Sequence, residues 1–354
     1  MSPPRILALV LAGGEGRRLR PLTAERPKPA IALGHDCRIV DFVLANLANS
    51  GVPWIYLLAQ YKAAALIDHV ARVWRPLLAR NQCVLRSVVP AGTGGEFKGT
   101  ADAVHRHLHL LARHEPDLVA VFAADHVYRM DVRQMADFHL RRRADVTVAA
   151  VPVPLDRASS FGVIEARANG GIERFQEKPA HPAPMPHDPH RAYASMGNYL
   201  FDPIALIDLL EAAMARGATD LGYGVLPEAV RSGARVFAYD FSSNRIPGLK
   251  PHEEAGYWRD VGTPEALAEA RRDIEGPNPR LELRNPEWPL HPSLPVEPVV
   301  SRPGPHPRID ALTLRIAERA NRLAQERGIA PGCELDMWRE AEAQVKRELP
   351  ETRP

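Results

Sequence analysis

The sequence of 354 residues has few cysteines, no long apolar run and no excess of one charge. Its three cysteines, Cys37, Cys83 and Cys333, are scattered, which excludes a disulfide framework and a CxxC metal site and fits a reducing compartment. The longest apolar run, 6–12, is far shorter than the roughly 20 residues of a membrane-spanning helix, and no signal-peptide pattern precedes it. Because 45 basic residues balance 43 acidic ones, nothing favours nucleic acid or an anionic membrane. We therefore expect a cytoplasmic protein with neither partner.

Proline, by contrast, is abundant and unevenly placed. Ten of the 34 prolines lie within residues 277–307. Since proline fixes φ and lacks an N–H donor, neither a helix nor a central strand is expected there. The segment is either a free linker or an extended strap packed on the main body. Its apolar residues Leu281, Leu283, Trp288 and Leu290 favour the strap.

Residues 5–275 alternate between short β-rich runs and helical patterns. This alternation predicts an α/β fold with a doubly wound, mainly parallel sheet, which binds ligands at the carboxyl ends of its strands. The predicted strands are Ile6–Ala12, Trp54–Ala59, Leu118–Ala123, Val146–Val153, Gly162–Ala166, Ala194–Phe201 and Arg235–Asp240. The predicted helices are Ile39–Ser50, Ala63–Val73, Gly99–Ala112, Val132–Arg143, Pro203–Ala215 and Pro264–Glu275.

The C-terminal region has a different pattern. Apolar residues recur at helical spacing from Ile309 to Leu323, Gly328 ends the pattern, and a weaker apolar stripe follows. We predict a small helical hairpin over 309–348 that docks on the body or on a partner, since forty residues make a marginal fold alone. The predicted units are thus 1–276, 277–308 and 309–348.

A glycine-rich loop follows the first predicted strand. Glycines 13, 14 and 16 would let the backbone approach a phosphate closely. The loop is not a dinucleotide fingerprint, because Leu19 replaces the third glycine, and it lacks the GK[ST] of a Walker loop. A ligand-free glycine turn fits this short pattern about as well.

Basic residues next to the loop favour a phosphate ligand. Arg17, Arg18 and Arg20 lead to Lys28, which lies between two prolines. A stiffened lysine beside an arginine-rich loop suits a polyphosphate. The alternative is a solvated basic loop, which the flanking prolines make less attractive.

Most of the chain resembles the sugar-1-phosphate nucleotidyltransferases. The run LAGGEGRRLRPLTAERPKPA is similar to their start. Further ordered blocks, including GTADAV, DHVY, EKP, ASMG and YWRDVGT, resemble the bacterial glucose-1-phosphate adenylyltransferases over residues 5–292. The resemblance implies a Rossmann-like nucleotidyltransferase fold. It also implies the reaction of ATP with glucose 1-phosphate to give ADP-glucose and pyrophosphate, a precursor for glycogen-type glucans.

Independently of this resemblance, the positions of two aspartates suit a metal site. Asp125 follows a buried strand, where ligands bind, and Asp260 can supply a second carboxylate. Mg²⁺ bound to phosphates usually takes one or two protein carboxylates. A lone aspartate after a strand is more often a helix cap, but the pairing favours metal. The fourteen histidines show no zinc spacing.

The resemblance also implies roles for individual residues. Arg18, Lys28, Asp125 and Lys178 would be catalytic, and Asp125 and Asp260 would bind Mg²⁺. Glu177 would bind sugar hydroxyls and Lys178 the sugar phosphate, as a pair that does not lie on the surface. The implied nucleotide-binding residues are Leu11, Ala12, Gly13, Gly14, Gln60, Gly99, Thr100 and Ala101. The implied sugar-phosphate residues are Gly162, Glu177, Lys178, Ser195 and Asp260.

Several positions depart from the family pattern. Glu96 and Phe97 replace a Trp-Tyr pair that contacts substrates in relatives, and Asn198 replaces an apolar residue. Glu25 replaces a lysine that helps bind the sugar-bisphosphate activator of enteric relatives. After Pro277 the chain shows no hexapeptide β-helix repeat, and residues 309–348 resemble a short bacterial domain of unknown function. We expect no sugar-bisphosphate control, and an oligomer smaller than or different from the β-helix tetramer.

Two other functions stay open on the sequence. The same chemistry could use another nucleotide or sugar, such as UTP, GTP or dTTP with glucose or mannose 1-phosphate. A catalytically silent paralogue could instead bind nucleotide or sugar phosphate as a regulator. The hairpin could also recruit a partner, which does not exclude catalysis.

Overall fold

A nine-stranded mixed sheet forms the centre of the computed structural model, which describes residues 3–290 except 35, 81–82 and 91–95, and also residue 344. The strands are β1 Ile6–Ala12, β2 Ala32–Gly34, β3 Cys37–Arg38, β4 Trp54–Ala59, β5 Val84–Val88, β6 Leu118–Ala123, β7 His126–Tyr128, β8 Val146–Pro154, β9 Gly162–Ala166, β10 Ile172–Glu177, β11 Arg191–Phe201, β12 Val236–Asp240 and β13 Trp258–Asp260. The helices are α1 Ile39–Asn49, α2 Ala64–His69, α3 Arg75–Arg80, α4 Thr100–His105, α5 His109–His114, α6 Val132–Arg142, α7 Pro203–Ala215, α8 Leu226–Arg231 and α9 Pro264–Asp273.

The sheet has a parallel part and an antiparallel part. Strands β5, β4, β1 and β6 are all parallel neighbours, in that order. Strand β11 then runs antiparallel beside β6, and it also pairs with β8 and β9. The doubly wound α/β prediction is confirmed, and β11 is where the parallel order ends.

The central strand β1 explains why the sheet has helices on both faces. Its side chains alternate between two buried clusters, with Ile6, Ala8 and Val10 in one and Leu7 and Leu9 in the other. A strand buried on both faces is apolar throughout rather than alternating. This is the pattern that predicted the strand from its sequence.

The predicted elements agree with the structure to within a few residues, with two exceptions among the helices. The predicted helix Gly99–Ala112 is wrong as one element, because a turn separates α4 from α5. The predicted helix Ala63–Val73 begins at Ala64 and continues through a wider π-type segment, Val70–Trp74, into α3. Strands β5 and β10 were not predicted from the sequence. The two short ribbons, β2 paired with β3 and β7 paired with β13, were not predicted either.

The ribbon that pairs β7 with β13 matters most for function. It is antiparallel, and Asp260 lies opposite His126. Since Asp125 directly precedes β7 and Asp260 ends β13, the ribbon brings two distant carboxylates together.

The described part of the proline-rich segment packs on the main body. Leu281, Leu283, Trp288 and Leu290 are all buried in the larger cluster. We call residues 277–290 the strap. The rest of the predicted segment, 291–308, lies outside the described residues, and so does the predicted hairpin, except for residue 344. Within the described ranges, no helix is long and apolar enough to cross a bilayer.

Candidate active site

A cavity of about 630 Å³ opens at the carboxyl ends of β1 and β6. It brings together twelve of the residues singled out from the sequence, which are Leu11, Ala12, Gly13, Gly14, Arg18, Lys28, Gln60, Gly99, Thr100, Asp125, Glu177 and Lys178. Four others, Ala101, Gly162, Ser195 and Asp260, do not line it. Each of these four lies directly behind a lining residue or next to one in the chain.

Lys28 lies at the centre of the charged part of the site. Its ammonium donates to Asp125 Oδ2 at 3.0 Å and to Asp260 Oδ1 at 2.9 Å, and the residue is 5% exposed. Burial lowers the pKa of Lys28, but the two carboxylates outweigh it and the net pKa is raised. Pro27 and Pro29 fix the backbone on either side of this lysine.

The carboxylate of Asp125 is held in its ionised form. Burial alone would raise its pKa, but His126 and Lys28 lower it far below the usual range. His126 lies close to both aspartates, with Nδ1 3.7 Å from Asp125 Oδ1 and Nε2 3.9 Å from Asp260 Oδ1. The Asp125 carboxylate is therefore negatively charged and can bind a cation.

The two aspartates fit a magnesium ion. Their oxygens converge on one cation, the Lys28 ammonium, as metal ligands would. No cluster of three or more acidic, histidine or cysteine ligands occurs in the described chain. Mg²⁺ in phosphate sites keeps several waters and takes one or two carboxylates plus the substrate phosphates, so the pair suffices.

Arg18 reaches the same place from the glycine-rich loop. A Cβ on Gly262 would lie 2.6 Å from Arg18 Nη2 and 3.1 Å from Asp260 Oδ1. The guanidinium therefore lies directly against the Gly262 backbone. A side chain at position 262 would require the Arg18 guanidinium to shift from this place.

Glu177 ends β10 on the opposite side of the cavity, and Lys178 follows it. Glu177 Oε2 lies so close to Gly162 and Gly222 that a Cβ on either would be 2.8 Å away. Gly162 thus supports the Glu177 carboxylate from behind. The expectation that the pair lies off the surface holds for Glu177, 18% exposed, but is wrong for Lys178, 54% exposed, because its side chain projects into the open cavity.

Ser195 and Ala101 are buried rather than exposed to the cavity. Ser195 Oγ donates to Tyr199 Oη at 3.4 Å, and Tyr199 lines the cavity. Ala101 lies inside α4, whose first turn donates to the Thr219 carbonyl. Both residues support lining residues in this structure.

Gln60 and Phe97 form the other end of the cavity. The Gln60 side-chain amide accepts from Phe97 N at 2.7 Å and donates to Phe97 O at 3.4 Å. This pairing holds the segment around Phe97 against the end of β4 and leaves part of the amide for a ligand.

The segment Asp220–Tyr223, where a π-type helical turn over Leu221–Val225 begins, was not predicted from the sequence. Asp220 accepts from Thr100 Oγ1 at 2.9 Å, and Thr100 Oγ1 accepts from Leu221 N at 2.8 Å. All four residues of this segment line the cavity. The only signal in the sequence was an aspartate followed by spaced glycines between a predicted helix and strand.

The fold and cavity define a class of enzyme. A glycine-rich loop, an arginine and a lysine beside two convergent carboxylates, and a second basic group across the cavity are the parts of a phosphate-transfer site that uses a nucleotide. The chain belongs to the nucleotidyl transferase family, which matches residues 7–276. Residues 312–347 match DUF2934, a family of proteins of unknown function.

Curated relatives agree with this assignment. The chain is 49% identical over 292 residues to the glucose-1-phosphate adenylyltransferase of Thermodesulfovibrio yellowstonii, covering 82% of this chain and 71% of that protein. It is 47% identical to the enzymes of the same name from Thermus thermophilus (82% and 72% covered) and Anaeromyxobacter dehalogenans (81% and 70% covered). The resemblance stated from the motifs is confirmed.

Proposed function

We propose that this protein transfers the adenylyl group of ATP to α-D-glucose 1-phosphate, giving ADP-glucose and pyrophosphate. The observation that carries the proposal is the pair Asp125 and Asp260, converging on one cation within reach of the glycine-rich loop. The names of the curated relatives support the choice of nucleotide and sugar.

The chemistry needs positioning and charge rather than a covalent enzyme intermediate. A phosphate oxygen of glucose 1-phosphate attacks the α-phosphorus in line, a new P–O bond forms, and the bond to the bridging oxygen breaks as pyrophosphate leaves. Bound between Asp125 and Asp260, Mg²⁺ would neutralise phosphate charge. Arg18 and Lys28 would offset the charge that develops on pyrophosphate.

The two ends of the cavity would bind the two substrates. Gln60, Phe97 and the start of α4 would bind the nucleotide. Lys178 projects into the open cavity, where it would hold the sugar phosphate against its repulsion by the nucleotide. Glu177, fixed between two backbone segments, would accept hydrogen bonds from sugar hydroxyls.

The test is pyrophosphate release with Mg²⁺ and glucose 1-phosphate, run in parallel with ATP, UTP, GTP and dTTP. We expect release with ATP, and its loss by about 10²–10³-fold in Asp125→Asn, which removes a charged metal ligand. Asp137→Asn, on the exposed face of α6, is the matched control and should keep full activity. Release with another nucleotide would redirect the substrate assignment, and none from nucleotide-binding protein would favour a regulatory paralogue.

We also propose that the reaction is not controlled by a sugar bisphosphate. Glu25 is exposed, and its carboxylate pairs with Lys62 at 3.2 Å, so a phosphate there would meet a negative charge. Fructose 1,6-bisphosphate should leave the rate unchanged, and Glu25→Lys would be the variant that introduces a response. Gel filtration would test the companion proposal of an assembly unlike the β-helix tetramer.

A further inference from the structure

The strap lies next to the ribbon of β7 and β13, which positions Asp125 and Asp260, the two carboxylates that would bind the metal. Asp125 precedes β7, and Asp260 ends β13, so the spacing of the two carboxylates depends on how this short ribbon is held. Each strand has only three residues, too few to be stable by pairing alone. Contacts at the ends of the ribbon must therefore fix it.

Arg129 provides the first of these contacts, because it follows β7 directly. Its Nη1 lies 2.7 Å from Glu253 Oε1, and the two side chains are 2% and 0% exposed. Its Nη2 donates to the backbone carbonyl of Glu282 in the strap. A buried guanidinium needs such partners, since an unpaired charge there is costly.

Glu253 closes the arrangement from the segment that leads into β13. Its Oε1 accepts from the backbone N–H of Glu282 at 3.0 Å, and its Oε2 accepts from the backbone N–H of Lys250 at 2.9 Å. The backbone N–H and C=O of one strap residue are therefore used by Glu253 and Arg129 respectively. We call the side chains of Arg129 and Glu253, together with the backbone of Glu282, the clamp.

A second brace reaches β7 through Asn46. The Asn46 side chain donates to Tyr128 O at 3.0 Å and accepts from Met130 N at 2.9 Å, so it holds the backbone on both sides of Arg129. Trp288 of the strap donates to the same Asn46 oxygen at 3.4 Å. The strap thus touches the end of β7 in two independent ways.

The segment before β13 is tied to the strap as well. Arg259 donates to Glu254 at 2.8 Å and to Asp273 at 3.1 Å. Glu254 in turn donates its backbone N–H to the Arg280 carbonyl at 2.9 Å. The residue immediately before Asp260 is therefore linked to the strap through a single carboxylate residue.

We infer that the strap is part of the active site, and that Arg129 and Glu253 are positioning residues that set the spacing of Asp125 and Asp260. The strap lies beyond residue 276, where the match to the nucleotidyl transferase family ends. The inference rests on the proposed function for the role of the two carboxylates. It predicts that a substitution in the clamp weakens Mg²⁺ binding, although no residue proposed to contact substrate is changed.

The experiment compares Glu253→Gln with the wild-type full chain at a temperature at which both are folded. The Mg²⁺ concentration for half-maximal pyrophosphate release should rise about tenfold or more, the usual effect of losing a partner behind metal ligands. Hydrogen exchange should become about tenfold faster in peptides covering 126–130 and 258–260, since local opening of the ribbon costs less.

Two further variants keep the test decisive. Arg129→Met combined with Glu253→Gln removes both charges, and so it avoids a buried unpaired guanidinium if Glu253→Gln alone does not fold. Tyr56→Phe is the matched control, because the Tyr56 hydroxyl pairs with His114 Nε2 at 2.7 Å between β4 and α5, apart from the strap and the ribbon. It should lower stability without changing the Mg²⁺ requirement or exchange in the ribbon.

The inference and the proposed function fail in different ways. Wild-type protein that releases no pyrophosphate would contradict the proposed function. Hydrogen exchange in the ribbon would still test whether the clamp stabilises the ribbon. A double variant whose ribbon exchanges as in the wild type, or that shares its Mg²⁺ requirement, would overturn the inference and leave the strap a structural element only.

Discussion

At the scale of single residues, Lys28 holds a position that a metal ion would share. Its ammonium contacts both Asp125 and Asp260, so Mg²⁺ bound to these carboxylates would compete with Lys28. If Mg²⁺ took these carboxylates, the Lys28 ammonium would be free to bind phosphate. We predict that Lys28 neutralises the carboxylates in the free enzyme and would offset the charge of the leaving group once substrates are bound.

Lys28→Met is expected to separate these two roles. Without the ammonium, the carboxylates repel one another and the free protein loses stability, so added Mg²⁺ should raise its melting temperature more than that of the wild type. Activity should fall about 10²–10³-fold with the loss of a preorganised charge. Lys62→Met, which removes a half-exposed ammonium, is the control. An equal Mg²⁺-induced shift in both variants would show that Lys28 does not compete with the metal.

Gly262→Ala tests a steric rather than a charged contact. The new methyl group would lie 2.6 Å from Arg18 Nη2, so the guanidinium must shift from its present position. We expect kcat to fall by less than in Arg18→Ala, and the double variant to match Arg18→Ala, because both changes act on one interaction. Additive losses in steady-state kinetics would contradict this.

At the scale of elements, the active site depends on short pieces that sequence patterns do not reveal. Strand β1 was predicted correctly because seven apolar residues in a row can only be buried. Strands β7 and β13 have three residues each, and their pairing depends on distant parts of the chain. Asp125 and Asp260 could therefore be proposed as partners from a family resemblance, but not from periodicity.

The contact between the start of α4 and the segment Asp220–Tyr223 is a further part of the site that sequence patterns do not reveal. A predicted long helix hid the turn between α4 and α5, and with it the fact that the first turn of α4 is capped by another segment. Thr100 Oγ1 contacts both Asp220 and the Leu221 N–H. No local rule predicts a capping partner so far along the chain.

Thr100→Val should loosen this contact while keeping the shape of the side chain. It leaves the Leu221 N–H and one Asp220 oxygen without their partner, which costs about 1–3 kcal/mol if both stay dry. We expect a raised KM for the nucleotide with a smaller change in that for glucose 1-phosphate. Thr100→Ser, which retains the hydroxyl, should restore the wild-type values, and failure to do so would place the effect elsewhere.

At the scale of the whole molecule, buried neutral histidines link folding to pH. His139 on α6 is 2% exposed, and its Nδ1 lies 2.8 Å from Thr147 Oγ1 of β8. Burial lowers the pKa of His139 to about 4, and that of His109 to about 4 as well. Such groups stay neutral in the folded protein while the unfolded chain takes up protons.

The sign of the effect follows from proton binding. Above pH 6.5 both states leave His139 neutral, so it adds no pH dependence. As the pH falls from about 6.5 toward 4, the unfolded state is protonated first and gains stability, so the free energy of unfolding declines. A difference of about 2.5 pKa units corresponds to roughly 3 kcal/mol for one fully buried histidine.

His139→Asn should remove this contribution, because its side-chain oxygen can accept from the Thr147 hydroxyl and does not titrate. Urea unfolding at pH 7 and pH 4.5 should show a gap in the free energy of unfolding that is about 2 kcal/mol smaller in the variant than in the wild type. His187→Asn, on an exposed loop, is the control and should leave the gap unchanged. If this pH difference in the free energy of unfolding were unaltered in His139→Asn, the prediction would be wrong. His139 would then be charged or hydrated between α6 and β8 in the folded protein.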